Sequence, residues 1–535
     1  MALVRTLITV VGATLASRVL GFVRDTVIAA TLGTGAAADA FFVAFRLPNL
    51  FRRLFAEGAF SAAFVPIYAR LVRERGEVAA HRFAGEALAA LALVLTVLSA
   101  GAIVFAPELI DLLAPGFRAD AGKRELAIRL ARVCFPYLAC IAVVALLSGM
   151  STVRRAYLVP ALAPVVLNLV LIAALAGFTL FGGGDRSAAA GVLSIAVVVA
   201  GVAQVVLLVG ALIADGVLPP LARPRLSPEI RDLARLGLPG LLAGAVGEIN
   251  VVVGTVIAST TAGAVSWLYY ADRVYQLPLG VVGIAVGQVL LPEILHARHA
   301  EGEAAGHAVL NRVLEFALSL TLAAALALGL LADPIVSVLF ERGAFTYADR
   351  LASGSALALF AVGLPGFVLV RVLSPVFFAR EDTTTPAVLG GLAVAVNVAT
   401  SLALMPVMGW LAVAIGTSAA GWFNAVALGA VAARRGLFGF DADLRRRLPR
   451  LALAAAAMAV VVGAAHHGLD GAFAAGVAFP TRAAALSALV GLGLAVFTAL
   501  VLALGVLDPG AVRRLLRSRA APADEASCDR PADRA

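Results

Sequence analysis

A chain of 535 residues that is 61% hydrophobic and 14% charged departs from soluble domains, which run nearer half apolar and a quarter charged. Its mean hydropathy of +0.98 fits a chain whose solvent is mostly lipid. The net charge of +9 would point a soluble protein towards nucleic acid. Here the arginines sit between apolar runs, so membrane topology accounts for most of them and no nucleic-acid partner is expected.

The runs are continuous rather than alternating. Only helices and closed barrels cross a bilayer with every backbone polar group satisfied, so these spans are helices and the fold is all-α integral membrane. In chain order about fourteen spans are expected, at roughly residues 5–32, 36–69, 83–106, 124–149, 155–181, 188–214, 230–259, 264–296, 308–331, 349–379, 384–405, 409–433, 449–466 and 481–507. Their connections alternate between an Arg-rich set, which includes Arg70 to Arg82, Arg154 and Arg155, Arg223 to Arg235, and Arg434 to Arg450, and a set poor in positive charge. The positive-inside rule places the first set, and both termini, in the cytoplasm. One outer connection, residues 117–132, breaks the pattern with Arg118, Lys123, Arg124 and Arg129. It reads as a short amphipathic helix lying on the surface. The Pro- and Arg-containing tail 508–535 reads as disordered, and the first apolar run lacks a small-residue cleavage site.

A repeat at an offset of 226 to 230 residues organises the first twelve spans. Thr26-Val-Ile-Ala29 returns as Thr255-Val-Ile-Ala258, Leu47-Pro48 as Leu277-Pro278, Pro107 as Pro334, Pro136 as Pro365, and Asn168 as Asn397. Six spans per unit give two lobes of equal orientation, related by a pseudo-twofold axis along the membrane normal, as in transporters that rock about a central site. The expected division is a six-helix lobe at 1–220, a second at 221–440, and two additional helices within 441–507.

Charges inside the spans carry the functional signal. An arginine near mid-bilayer costs roughly 2.5–3.5 kcal/mol on insertion scales and needs a partner or a wet cavity. In the first span Ser17, Gly21 and Arg24 share one face, with Arg18 and Asp25 on the next. The second span holds Asp39, Arg46, Pro48, Asn49, Arg52, Arg53 and Glu57, and the eighth holds Ser266, Asp272 and Arg273. Two readings compete: the arginines grip an anionic substrate, or they only pair with Asp25, Asp39, Glu57 and Asp272. The excess of positive charge favours the first for Arg24, Arg52 and Arg273, leaving Arg46, Arg53 and Arg371 open. Gly21, Pro48 and Pro278 are candidate bending points. No Ser–His–acid or metal-spaced cluster lies within the spans, so a transporter is favoured over a membrane enzyme. Cys134, Cys140 and Cys528 make no disulfide framework.

The stretches Ser17-Arg-Val-Leu-Gly-Phe-Val-Arg-Asp25, Ala38-Asp-Ala-Phe-Phe-Val-Ala-Phe-Arg-Leu-Pro-Asn49, Phe55-Ala-Glu-Gly-Ala-Phe-Ser61 and Val265-Ser-Trp-Leu-Tyr-Tyr-Ala-Asp-Arg273 closely resemble the MurJ (MviN) family. The resemblance implies a lipid II flippase of the bacterial inner membrane. It also implies the multidrug/oligosaccharidyl-lipid/polysaccharide exporter fold, with two six-helix lobes and two further helices. It implies cavity roles for Arg18, Arg24, Arg52 and Arg273, with Asp39, Glu57 and Ser266 also implicated. The implied partners are lipid II, an undecaprenyl-pyrophosphate-linked disaccharide peptide, and membrane lipids. A flippase for another undecaprenyl-linked oligosaccharide or polysaccharide is the alternative. No bound cofactor is implied, and coupling to an ion or to the membrane potential is left open. Asn397 and Thr417 match part of a sodium site found in some relatives, whose carboxylate positions read here as Gly254 and Ser401. Gln276 stands where one relative has Glu.

Overall fold

The computed structural model describes residues 2–56, 59–220 and 222–506, and no strand occurs among them. The first half runs α1 (Ala2–Leu32), α2 (Ala36–Ala56), α3 (Ala59–Val104), α4 (Ala106–Leu113), α5 (Ala121–Cys134), α6 (Tyr137–Val153), α7 (Leu158–Leu180) and α8 (Arg186–Ala214). The second runs α9 (Pro228–Ala258), α10 (Ala264–Glu301), α11 (Glu303–Leu330), α12 (Ala332–Phe340), α13 (Tyr347–Phe378), α14 (Thr384–Met408) and α15 (Ala412–Arg434), followed by α16 (Ala442–Gly468) and α17 (Phe479–Ala503). This is an all-α membrane protein whose helices follow the expected spans. Among the described residues, nine helical segments are long and apolar enough to cross a membrane by length and composition. Helices α1, α2 and α10 are not among them, and they carry Arg24, Asp25, Asp39 and Arg273.

Residues 57 and 58, within the expected second span, lie outside the described residues, and of two breaks elsewhere only the second falls inside an expected span. Helix α3 then turns back on itself at Gly76, whose φ of 80° and ψ of 173° suit only a residue without Cβ. The rings of Phe64 and Phe83 lie 5.6 Å apart, where a straight helix would separate them by about 28 Å. The two arms therefore lie side by side and serve as separate traverses. The fourth span is interrupted between α5 and α6 at Pro136, which lacks the N–H that a continuous helix needs. Its repeat-mate Pro365 sits inside unbroken α13. Helix α1 is continuous through Gly21, α2 through Pro48 and α10 through Pro278.

The segment 117–132 does not lie on the surface as expected. Helix α5 packs against α2 and α8, and two of its basic residues, Lys123 and Arg124, are paired while Arg129 is exposed. Lys123, the single lysine of the chain, is buried and donates to Asp39 at 2.6 Å. Arg124 grips Asp111 of α4 with bonds of 2.7 and 3.1 Å, and Arg118 lies 3.3 Å from the same carboxylate. The Arg124 hydrogen bond holds the Asp111 carboxyl below its usual range. Paired charge explains why this connection departs from the positive-inside pattern.

Helices α1 to α8 pack chiefly on one another, as do α10 to α15, while α9 packs on α3 and α14. Helices α16 and α17 pack together against α11 and α12. A buried network fastens this last pair. Arg350 of α13 reaches Asp333 at 2.5 Å, Glu341 at 3.1 Å and the Phe473 carbonyl at 2.7 Å, and Arg482 of α17 reaches Glu341 at 2.8 Å.

The two halves meet at one end through backbone. Ala344 donates to the Ala30 carbonyl at 2.8 Å, Gly116 to the Ser259 hydroxyl at 3.1 Å, and Tyr270 to the Gly33 carbonyl at 3.1 Å. Gly116 against Ser259 and Gly343 against Ala30 are repeat-related contacts, and a Cβ at either glycine would overlap the facing carbonyl oxygen. At the opposite end α3 meets α9 through Ala63 and Gly237, with the Arg75–Glu229 pair at 2.8 Å and Arg70–Asp232 at 3.7 Å. Both arginines there are about half or more exposed, and exposed pairs contribute about 0–1 kcal/mol. The first end is the firmer seam.

Gly116→Ala should hold that seam apart. With the native cysteines replaced by serine and a reporter cysteine at Ala38, which is fully buried, labelling by a charged maleimide is expected to run severalfold faster in the Gly116→Ala protein. Equal rates would show that this contact does not close the seam.

Candidate substrate cavity

The site is organised by a carboxylate rather than by its arginines. Asp25 of α1 is 2% exposed. It accepts from Arg24 Nε at 3.0 Å and Nη2 at 2.7 Å, and from the Tyr269 hydroxyl of α10 at 3.0 Å. Arg273 Nε, also of α10, lies 3.6 Å from its second oxygen. The Arg273 guanidinium sits over the Tyr269 ring at 4.7 Å, and the Phe42 ring stacks on Tyr269 at 3.9 Å. Both contacts restrain the Tyr269 ring whose hydroxyl donates to Asp25. The cluster joins α1 of the first half to α10 of the second.

Donor counts decide what this cluster can do. Two guanidinium groups face the Asp25 carboxylate, and Asp272 is the chain neighbour of Arg273. A guanidinium has five N–H donors. Arg24 uses one on Asp25 through Nε, one through Nη2, and one through Nη1 on Asn168 Oδ1 of α7 at 2.9 Å. One donor stays on each terminal nitrogen, a fork that matches a phosphate or carboxylate edge. Arg273 Nε is buried without a hydrogen-bond partner, a costly arrangement that an oxyanion would relieve. The exposed Arg18 reaches from α1 to rest against Gly280 of α10, where a Cβ would displace it. The arrangement can hold an anionic group between the two halves.

The expected site residues fall into three groups. Arg24 and Arg273 come together on Asp25, while Arg18 lies against Gly280, about two turns further along α10. Asp39 and Ser266 also come together, at the seam rather than beside the arginines. Asp39 is wholly buried and accepts from Ser266 Oγ at 2.6 Å, Ser266 N at 2.9 Å, Gly263 N at 2.8 Å and Lys123 Nζ at 2.6 Å. It caps the N-terminus of α10 from the other half, where a negative charge is favoured. Arg52 lies on α2 with its side chain outside the described residues, as does that of Arg53, and Glu57 lies outside them altogether. Of the open cases, Arg46 donates to the Val251 carbonyl at 3.4 Å and Arg371 is exposed. Gln276 donates to Asp272. Sequence reasoning treated Asp25 only as an ion-pair partner and missed Tyr269, Asn168 and Lys123. Lysine occurring once in so Arg-rich a chain was the one available signal for the last.

The polar cluster around Asn397 and Thr417 does not fit sodium. Ser401 donates to Asn397 Oδ1 at 3.0 Å and to the Ala412 carbonyl at 3.3 Å, and Thr417 donates to the Val413 carbonyl at 2.8 Å. The oxygens are engaged with one another and with backbone carbonyls, and Gly254 and Ser401 supply no carboxylate to balance a cation's charge.

The chain matches the model of the lipid II flippase MurJ family over residues 28–484. It belongs to that family. It is 44% identical over 531 residues to a probable lipid II flippase MurJ of Rhizobium tropici, covering 98% of this chain and 99% of the relative. It is 42% identical over 535 residues, the full length of both, to a probable lipid II flippase MurJ of Rhizobium meliloti (strain 1021). In fold it is similar to a solved lipid II flippase MurJ in an inward closed conformation, with a TM-score of 0.77 at 24% identity, covering 95% of this chain and 100% of that one.

Asp25→Asn removes the one carboxylate shared by two guanidinium groups. Breaking a buried pair costs about 3–5 kcal/mol, so the unfolding midpoint of the purified protein is expected to fall by several degrees. An unchanged midpoint would remove Asp25 from the centre of the MurJ-family site described above.

Proposed function

We propose that this chain carries lipid II from the inner to the outer leaflet of the bacterial cytoplasmic membrane for peptidoglycan synthesis, by alternating access and without covalent chemistry. The observation that carries the reading is the Arg24–Asp25–Arg273 cluster. It spans both halves and has guanidinium donors left over, which suits a pyrophosphate. Membership of the MurJ family supports lipid II as the bearer of that pyrophosphate. A cationic drug would face two guanidinium groups of like charge.

In this reading the lobes are residues 1–220 and 221–440, with 441–507 adding two helices. The Arg-rich connections and both termini face the cytoplasm. The backbone seam with Asp39, Lys123 and Ser266 then lies on the outer side and is shut in the state described, so the headgroup enters from the inner leaflet. The headgroup rests on Arg18, Arg24 and Arg273, joined by Arg52 from α2, while the undecaprenyl chain stays in lipid. We propose the membrane potential as the driving force, since the Asn397 cluster lacks a charged ligand for sodium. An anion moving outward descends an inside-negative potential, worth about 2.3 kcal/mol per charge per 100 mV.

The test is replacement of a depletable native flippase by this protein. The wild type is expected to restore growth, whereas Arg24→Ala and Arg273→Ala, present at normal membrane levels, should not, and lipid II should accumulate on the inner face. Accumulation of a different undecaprenyl-linked saccharide would overturn the substrate assignment in favour of that flippase.

A further inference from the structure

Asn168 lies on α7 in a helix face of leucines. Leu167, Leu171 and Leu175 are buried around it, and it is itself 5% exposed. A buried amide in such a setting needs partners for both its ends. Oδ1 accepts from Arg24 Nη1 at 2.9 Å, and Nδ2 donates to the Ser17 carbonyl at 3.0 Å. Turning the amide over would set NH2 against a guanidinium and oxygen against a carbonyl, so both contacts fix one orientation. Gly21 makes the room. A Cβ there would lie 3.5 Å from Nδ2, ordinary contact for alanine, while a branched side chain would meet the amide.

We infer that Asn168 is a positioning residue for the substrate anion, acting through Arg24. Asp25 is the chain neighbour of Arg24 and holds only its Nε–Nη2 edge. With that contact alone the guanidinium plane can swing about the Asp25 oxygen. Asn168, reaching in from a second helix, holds Nη1 as a third point and sets the plane. The two donors left on Nη1 and Nη2 then point in a fixed direction instead of being spent at random. Asn168 is neutral, so it does this without adding a negative charge beside Arg24, which a carboxylate in its place would do. The same bond pattern gives Gly21 a task other than bending: it seats the amide that orients Arg24.

This inference rests on the proposed role of Arg24 as an anion ligand, and the experiment separates the two. Affinity of the purified full-length protein is measured for two probes, lipid II and undecaprenyl pyrophosphate, in wild type, Asn168→Leu, Arg24→Lys and the double variant, alongside thermal unfolding. Asn168→Leu is expected to weaken both probes about tenfold, the scale of a hydrogen bond to a charged group, with little change in unfolding midpoint. It should add almost nothing on top of Arg24→Lys, because both act on one guanidinium. Additive losses, or a loss of affinity that tracks a fall in midpoint, would make Asn168 a mere tie between α1 and α7 and overturn the inference. So would unchanged affinity. Should Asn168→Leu fail to reach the membrane, Asn168→Asp carries the test. It keeps the volume and the acceptor for Nη1 but adds a negative charge to the site, so affinity should fall and its salt dependence flatten. Retained affinity there also overturns the inference. A wild type that binds undecaprenyl pyrophosphate but not lipid II would defeat the substrate assignment alone, and the Asn168 comparison would then be read on the pyrophosphate. Binding of neither probe defeats both.

Discussion

One carboxylate buried in a membrane protein sets the terms for everything near it. Asp25 cannot stand alone in a low-dielectric setting, and the cost of leaving it unpaired exceeds that of drawing in neighbours. It draws Arg24 from its own helix and Arg273 and Tyr269 from α10. Since α1 and α10 belong to different halves of the repeat, the same electrostatic requirement that stabilises Asp25 also ties the halves together near the cavity. Two guanidinium groups share the Asp25 carboxylate. Arg24 keeps donors that no contact in the cluster uses, and Arg273 Nε has no hydrogen-bond partner, so an incoming anion would compete for donors already aligned.

The rest of the molecule divides its contacts between halves unequally. At the seam, glycines let backbones touch, and Asp39 caps α10 while holding the only lysine of the chain. At the other end the contacts are helix packing and exposed ion pairs, which are individually weak. Interfaces of this kind are bistable rather than continuously deformable. The seam has a defined closed geometry, fixed by hydrogen bonds and by the lack of Cβ at Gly116 and Gly343, whereas the opposite end can slide. Opening the seam would strip Asp39 of the three donors that Gly263 and Ser266 supply from the other half, so that step requires a compensating gain elsewhere, and occupation of the arginine cluster is the natural place for it.

What could be read from the sequence follows from which energies are local. The traverses were legible because each needs its own apolar stretch, whatever it packs against. The interior arginines were legible because a charge in lipid is expensive wherever the helix sits. The turn at Gly76 falls in the connection expected between the second and third spans, whereas the difference between Pro136, which ends a helix, and Pro365, which does not, depends on neighbours. The segment 117–132 was misread as a surface helix because the partners of Lys123 and Arg124 are remote in sequence: Asp39 is 84 residues away. Asp39 and Ser266 were legible as important polar positions, but their place at the seam needed the fold. Asn168 was visible only as a landmark of the repeat.

The repeat also explains why there is one such cluster and not two. Thr26 corresponds to Thr255, which sets Asp25 opposite Gly254 in the second half, and Asn168 corresponds to Asn397. In the first half the amide serves a guanidinium. In the second it serves the Ser401 hydroxyl, within a group of neutral oxygens closed over Gly416. The scaffold is duplicated while the charge is not. Two symmetric arginine clusters would offer a polyanion two deep footholds, and a carrier must release what it binds. Concentrating the positive charge on one pair of helices, with Asp25 present to reclaim the donors once the anion leaves, gives a site that can hold its cargo through a rocking motion and still let it go.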